Sequence, residues 1–396
     1  VFWVTDVAGQ HQGYEMIQLR VGILGVGQRG LQHLGELWSF QKTGLIRVTA
    51  LCDAWADNLS TAKIQSYIPE YHSEGVSLHT SFQEMVSEDI IDVLYICLPP
   101  GSHNGEVVVA ARSGIHVFVE KPMSLYYDEA VEMEEAIKTS GVISTVGFQQ
   151  RYDSRNVAVR EFLKNRRIVL LSSTSHGSLE NHSTKHTHTE EVGGPANRVW
   201  TANFAWSGSA VVEGGIHTVD LMRYWCGDIA WVQSVYVLRD EADIENDGDN
   251  PCVCVVNFGF RNGAVGTLHI SKLRRVFHGS GDQIILWDHG HISFDSDGPV
   301  AHYYDGPYPL EQPPAPAETR HPVLTKAHNV PLGGINQVFI NAIADNRPES
   351  IKSPFSEAMN SLAAVLAANL SHELEGERIE LQRFAKDERY HSFRNK

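Results

Sequence analysis

The stretch LRVGILGVGQRG, residues 19–30, decides the fold of the first third of the chain. Its opening LRVGILG is a mostly apolar run that ends in glycine, which is typical of a strand buried on both faces. The glycines at 25, 27 and 30 then form a GxGxxG pattern, and helical periodicity follows to about residue 40. A strand, a glycine turn and a helix in this order predict a turn that holds the pyrophosphate of a dinucleotide.

The glycines of this loop have separate predicted roles. Gly25 permits the tight turn, Gly27 lets a phosphate approach the backbone, and Gly30 lets the helix pack on the strand. A glycine turn without a ligand is the alternative interpretation. The loop residues predicted to bind the cofactor are Gly25, Val26, Gly27, Gln28, Arg29 and Gly30.

The next predicted strand ends at Asp53, 23 residues after Gly30. A carboxylate at this point accepts hydrogen bonds from both hydroxyls of a ribose and repels a 2′-phosphate. Residues 54–58, AWADN, contain no Lys or Arg to bind such a phosphate. The sequence therefore predicts NAD, with NADP the weaker alternative because Arg29 is placed to reach a phosphate.

Strand and helix patterns alternate from residue 19 to residue 146, which indicates βαβ units and a parallel sheet. After Phe148 the strands become longer and alternate in polarity, which indicates an antiparallel or mixed sheet. The proline-rich stretch 306–323 predicts an extended surface loop. The first-part strands are predicted at 19–25, 46–53, 91–99, 115–122 and 142–147, with helices at 30–40, 56–67, 103–113 and 124–140. The second-part strands are predicted at 167–176, 231–238, 251–260, 264–271, 282–288 and 291–295, with helices at 210–225, 333–345 and 355–374.

Six motifs carry a resemblance to a known family. In these motifs the chain resembles the glucose–fructose oxidoreductase/inositol dehydrogenase (Gfo/Idh/MocA) family, from about residue 17 onward. The resemblance implies a nicotinamide cofactor, a sugar, cyclitol or related polyol as substrate, and a homo-oligomer, either dimer or tetramer. The motifs are GVGQRG (25–30), LCD (51–53), LPPGSH (98–103), GIHVFVEKP (114–122), GFQQRY (147–152) and EGGIHTVD (213–220).

The expected fold class is α/β, with two domains after an N-terminal extension at residues 1–16. Residues 17–147 form an N-terminal Rossmann dinucleotide-binding domain. Residues 148–396 form a C-terminal α/β domain for substrate binding and oligomerisation, with a large, mostly antiparallel, open sheet. Outside the glycine loop, the cofactor-binding residues implied are Asp53, Leu98, Pro99, His103, Glu120, Lys121 and Gln149.

Three residues are predicted to be catalytic and to contact the substrate. Lys121 matches the family's EKP lysine, whose ammonium group can stabilise an alkoxide or polarise a carbonyl. His217 matches the family's histidine, and a histidine with a pKa near ~6.5 suits a general base. Glu213 stands where the family usually has Asp, four residues before His217, so on a helix both face the same way. We expect Glu213 to bind a substrate hydroxyl or to orient the catalytic pair.

Further substrate contacts are predicted beside the cleft. Arg151 and Tyr152 begin the second domain, although a domain-interface salt bridge is an equally good interpretation of Arg151. Trp200 either stacks on a sugar ring or fills the core. Asp220 is interpreted as structural.

A histidine-rich stretch covers residues 176–188 and has three interpretations. It is a polar loop over the mouth of the active site, a lid that contacts the substrate, or a zinc site supported by Glu190 or Glu191. The last is the weakest, and no metal is predicted. The histidines are His176, His182, His186 and His188.

Composition excludes some classes of protein. The 396 residues include 32 Lys and Arg against 48 Asp and Glu, a formal charge of −16, which argues against a nucleic-acid binder and slightly favours a neutral polyol substrate. No apolar run is long enough to span a membrane. Five cysteines without a CxxC pair predict no disulfide framework and a cytoplasmic location.

Three functions compete at this point. The first is an NAD(P)-dependent oxidoreductase that transfers hydride between a nicotinamide and a secondary alcohol. The second is a redox-neutral enzyme that retains NAD, oxidises a glycoside transiently, cleaves it by elimination and returns the hydride. The third is a non-catalytic sensor, against which Lys121 and His217 argue.

Overall fold

A computed structural model describes residues 18–178, 199–244, 248–273, 278–296, 298–307, 311–324 and 334–396. The predicted extension at residues 1–16 lies outside the described residues. The same holds for His182, His186 and His188, so the three interpretations of that stretch stay predictions.

The first sheet is parallel and runs in the order β3-β2-β1-β4-β5-β6 within the described part of the chain. This is the strand order of the doubly wound dinucleotide-binding fold. In this order the chain adds β2 and β3 on one side of β1, and β4, β5 and β6 on the other side. Strand β4 is buried along its whole length, and β1 and β5 are buried except at their first residues, as their apolar runs predict. The strands are β1 (Leu19–Leu24), β2 (Ile46–Cys52), β3 (Ser77–His79), β4 (Val93–Ile96), β5 (His116–Val119) and β6 (Ser144–Val146).

Helices connect these strands and cover the sheet. They are α1 (Gln28–Phe40), α2 (Thr61–Tyr67), α3 (Phe82–Ser87), α4 (Glu106–Arg112) and α5 (Tyr127–Ser140). The helix predicted over 56–67 is wrong as one element, because the extended backbone of Ser60 separates a 3₁₀ turn from α2. Two short elements, β3 and α3, were missed because three and six residues carry little periodicity.

The second sheet runs in the order β14-β13-β12-β11-β7-β10-β9-β8-β15 in the described residues. Only the pair β7 and β10 is parallel among these, so the predicted mostly antiparallel sheet is confirmed. The strands are β7 (Ile168–Ser178), β8 (Ile229–Val237), β9 (Val253–Phe260), β10 (Val265–Leu273), β11 (Ser280–Trp287), β12 (Gly290–Asp295), β13 (Gly298–His302), β14 (Arg320–Pro322) and β15 (Ile379–Glu380).

The proline-rich stretch is not loop throughout. It contains a short helix and then β14, which pairs with β13 and forms one edge of the sheet. An edge position suits Pro322, because proline has no N–H to donate to a further strand. The loop predicted over 306–323 is therefore wrong at its end.

One face of the second sheet is covered by helices, chiefly α8 and α11, which supply much of a single large apolar core. The remaining described helices are α6 (Ser154–Leu163), α7 (Phe204–Ser207), α8 (Ile216–Cys226), α9 (Pro316–Thr319), α10 (Ile335–Ala344), α11 (Phe355–Glu373), α12 (Leu381–Phe384) and α13 (His391–Arg394). No helix of the described residues is long and apolar enough to cross a membrane.

Helix α10 packs on the first sheet although it lies late in the chain. Its Phe339 and Ile340 belong to the apolar cluster that contains Tyr95 and Phe118 from β4 and β5. The segment at Ser353 runs along β6, since its carbonyl accepts the N–H of Val146 at 2.8 Å. The linear boundary at residue 147 does not describe the packing of these segments, because they return to the Rossmann core.

Candidate active site

The glycine loop joins β1 to α1 and has the conformation that its sequence predicts. Gly25 has a φ of +87°, and a Cβ there would lie 2.6 Å from the carbonyl oxygen of Cys97. A Cβ on Gly30 would lie 1.9 Å from the carbonyl oxygen of Gly25. A Cβ on Gly27 would meet no described atom within 4 Å, so this glycine faces open space.

The start of α1 fits the pyrophosphate of a dinucleotide. Gly27 is the N-cap and supplies no side-chain cap, and the first turn contains no acidic residue. The first amides of the helix therefore keep donors that the helix itself does not use, and the helix dipole favours an anion there. Gln28 is half-buried in this first turn.

Asp53 ties β2 to the glycine loop. Its Oδ2 accepts the N–H of Val26 at 2.7 Å, and its Oδ1 accepts the N–H of Trp55 at 2.9 Å. Each carboxylate oxygen keeps a second lone pair for a ribose hydroxyl. Val26 itself is fully buried and its amide is committed to Asp53. The backbone of Val26 therefore positions Asp53, and contact of Val26 with the cofactor stays a prediction.

Arg29 lies on the inner side of the loop. Its Nη1 donates to Gln32 at 2.8 Å, and its Nε lies 3.5 Å from Oε1 of Glu120. Arg29 thus pairs with Glu120, while 40% of its side chain stays exposed.

Glu120 is buried directly behind Lys121 and is held by a chain of hydrogen bonds. His33 Nε2 lies 2.9 Å from Oε1 of Glu120, and His33 Nδ1 lies 3.1 Å from Oδ1 of Asn336. Asn336 donates its own amide N–H to Glu36 at 2.6 Å, which fixes the orientation of that amide. Both ring nitrogens of His33 therefore face acceptors. Burial alone would raise the pKa of Glu120, but His33, Arg29 and Lys121 lower it to about 2.

Lys121 crosses from the first domain to the second. Its Nζ donates to Oε1 of Glu213 at 3.2 Å and to the carbonyl of Glu213 at 3.0 Å, and its side chain is 8% exposed. The structure thus brings these two predicted residues together. Glu213 lies in a π-helical turn, Val211–Gly215, directly before α8, so the predicted helix at 210–225 is not α-helical at its start. Such turns occur frequently at functional sites.

His217 lies in the first turn of α8. Phe148 packs against its ring edge-on at 6.3 Å, and Nδ1 is buried without a hydrogen-bond partner among the described residues. Burial and the nearby charge of Lys121 lower the pKa of His217 to about 4. The expected pKa near ~6.5 is therefore wrong, because desolvation disfavours the imidazolium. A pKa lowered in this way leaves the imidazole of His217 uncharged at neutral pH.

Arg151 and Tyr152 are held by buried hydrogen bonds, and the ion pair of Arg151 agrees with its salt-bridge interpretation, while contact of either residue with the substrate stays a prediction. Nε and Nη2 of Arg151 each donate to Asp220 at 2.7 Å, and Nη1 donates to the carbonyl of Lys352 at 2.7 Å. The hydroxyl of Tyr152 accepts the N–H of Lys352 at 3.0 Å and lies 3.3 Å from Ser353 Oγ. Both side chains are buried, and both bond to the segment at residues 352 and 353 that runs along β6.

The other predicted residues divide by exposure. Leu98, Pro99 and Gln149 are half-buried at the carboxyl edge of the first sheet, where they stay proposed cofactor contacts. The ring of His103 is 1% exposed, its Nδ1 lies 3.7 Å from Oε2 of Glu106, and its contact with the cofactor stays a prediction. Trp200 is half-buried. His176 lies on β7 beside Ser271, with its Nδ1 2.9 Å from the hydroxyl oxygen.

A cavity of about 150 Å³ adjoins the Lys121–Glu213 pair. Its lining mixes hydroxyl, amide, charged and small apolar groups, which suits a polar organic molecule. Sequence reasoning missed it because its walls come from β7, the π-helical turn, β10 and the segments beside residues 201 and 250. The polar residues that line it are Ser175, Thr201, Glu213, Thr218, Asn250 and Lys272.

Sequence reasoning also missed the residues that hold Glu120. A signal existed for His33, which follows Gly30 by three positions and so lies on the same face of α1. None existed for Asn336, which is 303 residues from His33. Among the described residues no group of three or more His, Cys, Asp or Glu could hold a metal ion.

Comparison with known families assigns both parts of the chain. Residues 19–148 match the oxidoreductase family with an NAD-binding Rossmann fold (GFO_IDH_MocA). Residues 171–285 match the GFO/IDH/MocA C-terminal domain.

Relatives and solved structures agree with this. A myo-inositol 2-dehydrogenase of Thermotoga maritima is 26% identical over 283 residues, which cover 70% of this chain and 75% of that protein. A glycosyl hydrolase family 109 protein of Shewanella amazonensis is 30% identical over 122 residues, which cover 29% of this chain and 25% of that protein. A levoglucosan dehydrogenase solved with NADH shares the fold, with a TM-score of 0.72 at 18% identity, covering 92% of this chain and 99% of that one.

The two matched regions, the parallel sheet in the dinucleotide-binding order and the open glycine loop agree with one another. The chain belongs to the GFO/IDH/MocA family of oxidoreductases, has its NAD-binding Rossmann domain, and is an enzyme that acts on CH–OH groups.

Proposed function

We propose that this enzyme transfers hydride between a nicotinamide cofactor and a secondary alcohol of a sugar, glycoside or cyclitol. The observation that carries the proposal is the Lys121–Glu213 contact, which joins the cofactor domain to the catalytic helix region at 3.2 Å beside a polar cavity. The oxidised nicotinamide, when bound, would accept the hydride from the alcohol carbon. The named relatives that act on inositol and levoglucosan support a polyol substrate.

The roles of the side chains follow from their surroundings. The substrate hydroxyl gives its proton to His217 while the hydride leaves the same carbon. Because Nδ1 of His217 is buried, Nε2 is the atom left to receive the proton. Lys121 stabilises the negative charge that develops on the reacting oxygen. Glu213 holds Lys121 in place and faces the cavity, where it binds a second hydroxyl of the substrate.

Two substitutions test these roles. Lys121→Met and His217→Ala should each reduce kcat at least 100-fold while NAD binding, measured by calorimetry, stays within about threefold. Lys138→Met and His289→Ala change an exposed lysine and an exposed histidine and serve as matched controls. Turnover at the wild-type rate in both site variants contradicts the assignment.

NAD is the proposed cofactor, and NADP is disfavoured. Asp53 is fixed at the end of β2 by two backbone amides, and its negative charge repels a 2′-phosphate. Arg29, the group that could offset this repulsion, is engaged with Glu120. Asp53→Ala should lower the preference for NAD over NADP at least tenfold in kcat/KM, and an unchanged preference contradicts this role.

A redox-neutral cleavage of glycosides is the second candidate. The similarity to a glycosyl hydrolase family 109 protein over 122 residues favours it. The two functions differ in an observable way. Purified enzyme that retains its nicotinamide and forms product with no net change in NADH absorbance supports cleavage, whereas stoichiometric NADH formation supports the dehydrogenase.

Assembly and location complete the proposal. The face of the second sheet opposite the helices carries two exposed valines on β8: Val235 is 60% exposed and Val237 is 55% exposed. Beside them lie Val253 and Val255 of β9. An exposed apolar row of this kind supports a homo-oligomer in which two such faces pack together, and light scattering tests this. All five cysteines are free, which supports a cytoplasmic location.

A further inference from the structure

Trp55 follows Asp53 by two residues and exposes 69% of its surface to solvent. A single exposed aromatic ring is common on protein surfaces and means little by itself. The position of Trp55 in the fold suggests a role, because its turn begins at Asp53, whose carboxylate is proposed to bind the ribose of the cofactor.

The turn that presents Trp55 is rigid. The N–H of Trp55 donates to Oδ1 of Asp53, and the carbonyl of Trp55 accepts the N–H of Asn58, each at 2.9 Å. The side chain of Asn58 is buried and accepts a hydrogen bond from Lys63, whose side chain is also buried. An aromatic ring on a backbone held in this way loses little conformational entropy when a planar ligand covers it.

The turn lies where the base of a dinucleotide must go. In this strand order the adenosine half binds outside the carboxyl ends of β1, β2 and β3. The N–H of Asp53 donates to the carbonyl of His79 at 3.1 Å, so the ends of β2 and β3 meet beside the turn. A ribose bound to Asp53 directs its base outward along this edge, toward Trp55. Residues 54–58 offer no cation to compete for the base.

We propose that the indole ring of Trp55 is the stacking platform for the adenine ring of the cofactor. The inference rests on the proposed binding of NAD at the glycine loop and adds a residue to that site. Stacking between a base and an aromatic side chain is worth roughly a tenfold change in affinity, or more, when the side chain is replaced by alanine.

Two half-cofactors separate the adenine end from the nicotinamide end. AMP contains the base, and nicotinamide mononucleotide lacks it. We expect Trp55→Ala to weaken the binding of both AMP and NAD about tenfold and to leave nicotinamide mononucleotide unchanged, as measured by calorimetry. Trp55→Phe keeps a ring and should retain most of the affinity. Trp206→Ala removes another exposed tryptophan, 58% exposed on α7, and should bind AMP like the wild type.

Each other outcome overturns the proposal. Unchanged AMP affinity in Trp55→Ala shows that the ring makes no contact with the base. An equal loss for nicotinamide mononucleotide shows that the substitution disturbs the turn and not a stack. Wild-type protein that binds neither NAD nor AMP refutes the proposed cofactor function as well, whereas tight NAD binding in all variants refutes only the role of Trp55.

Discussion

The buried ion pair between Arg151 and Asp220 joins the start of the second domain to α8, the helix that carries His217. Both side chains are at most 4% exposed, and two contacts of 2.7 Å connect them. Removing one partner of such a pair leaves an uncompensated buried charge and costs about 3–5 kcal/mol. In Arg151→Met, Asp220 keeps the hydroxyl of Ser361 at 2.8 Å and Arg223 at 3.9 Å. We therefore expect the variant to lose about 3 kcal/mol of stability, the lower end of this range. Such a loss lowers Tm by only ~4 °C, because the unfolding entropy of a chain of 396 residues is large.

Urea denaturation followed by circular dichroism measures this loss. The double variant Arg151→Met/Asp220→Leu removes both charges and should be less destabilised than the sum of the single variants by at least ~2 kcal/mol. Arg347→Met breaks an exposed pair with Glu349 and should change stability by less than ~0.5 kcal/mol. An Arg151→Met variant as stable as that control refutes the reasoning. A raised KM with unchanged stability would instead support Arg151 as a substrate contact.

Three further predictions concern the cofactor loop and the catalytic groups. On the acid side of the pH profile, kcat/KM should fall with a midpoint near pH 4, because burial and the charge of Lys121 lower the pKa of His217 to about 4. Lys121→Met should raise that pKa, as measured by an NMR titration of the ring. A midpoint near pH ~6.5 for the wild type contradicts both expectations. Glu120→Gln should lower the free energy of unfolding by about 1–3 kcal/mol at neutral pH. Because the pKa of Glu120 is lowered from 4.5 to about 2, the difference in unfolding free energy between wild type and variant should be fully present above pH 4.5 and disappear as the pH falls to 2. A difference that does not change with pH contradicts this role of the carboxylate. Gly30→Ala should lower the stability measured in urea, because the added Cβ would overlap the carbonyl oxygen of Gly25. Gly27→Ala should leave stability unchanged and weaken only NAD binding. Equal effects of the two substitutions would refute the separate roles of these glycines.

Local patterns predicted the first domain well because its signals lie within short stretches. An apolar run, three glycines and an acid at the end of the next strand are each readable from neighbours in sequence. The same holds for Lys121 and Glu213, which were identified from motifs and which the structure places in contact. Predictions failed where elements were short, as with β3. For Arg151 the sequence left a substrate contact and a salt bridge open, and the structure shows an ion pair with Asp220.

Burial decided the chemistry that motifs left open. The residue type of His217 indicates a base with an ordinary pKa, but the packing of Phe148 and the approach of Lys121 shift that pKa to about 4. Val26, His103 and Tyr152 stood in the right motifs, yet each is buried and hydrogen-bonded or packed within the protein. Exposure depends on how separate segments pack, which no local pattern encodes.

By itself the sequence determined the dinucleotide-binding sheet, the glycine loop and the acid at Asp53, because periodicity and spacing act over a few neighbouring residues. Motifs likewise identified Lys121, Glu213 and His217 as the candidates for the proposed catalytic roles. Only the tertiary structure decided which groups meet: Asn336 reaches His33 across 303 positions, and Lys352 reaches Arg151 across 201. Such contacts arise when late segments return to the first core to bury apolar surface. Their electrostatic consequences then depend on the low-dielectric surroundings that this burial creates.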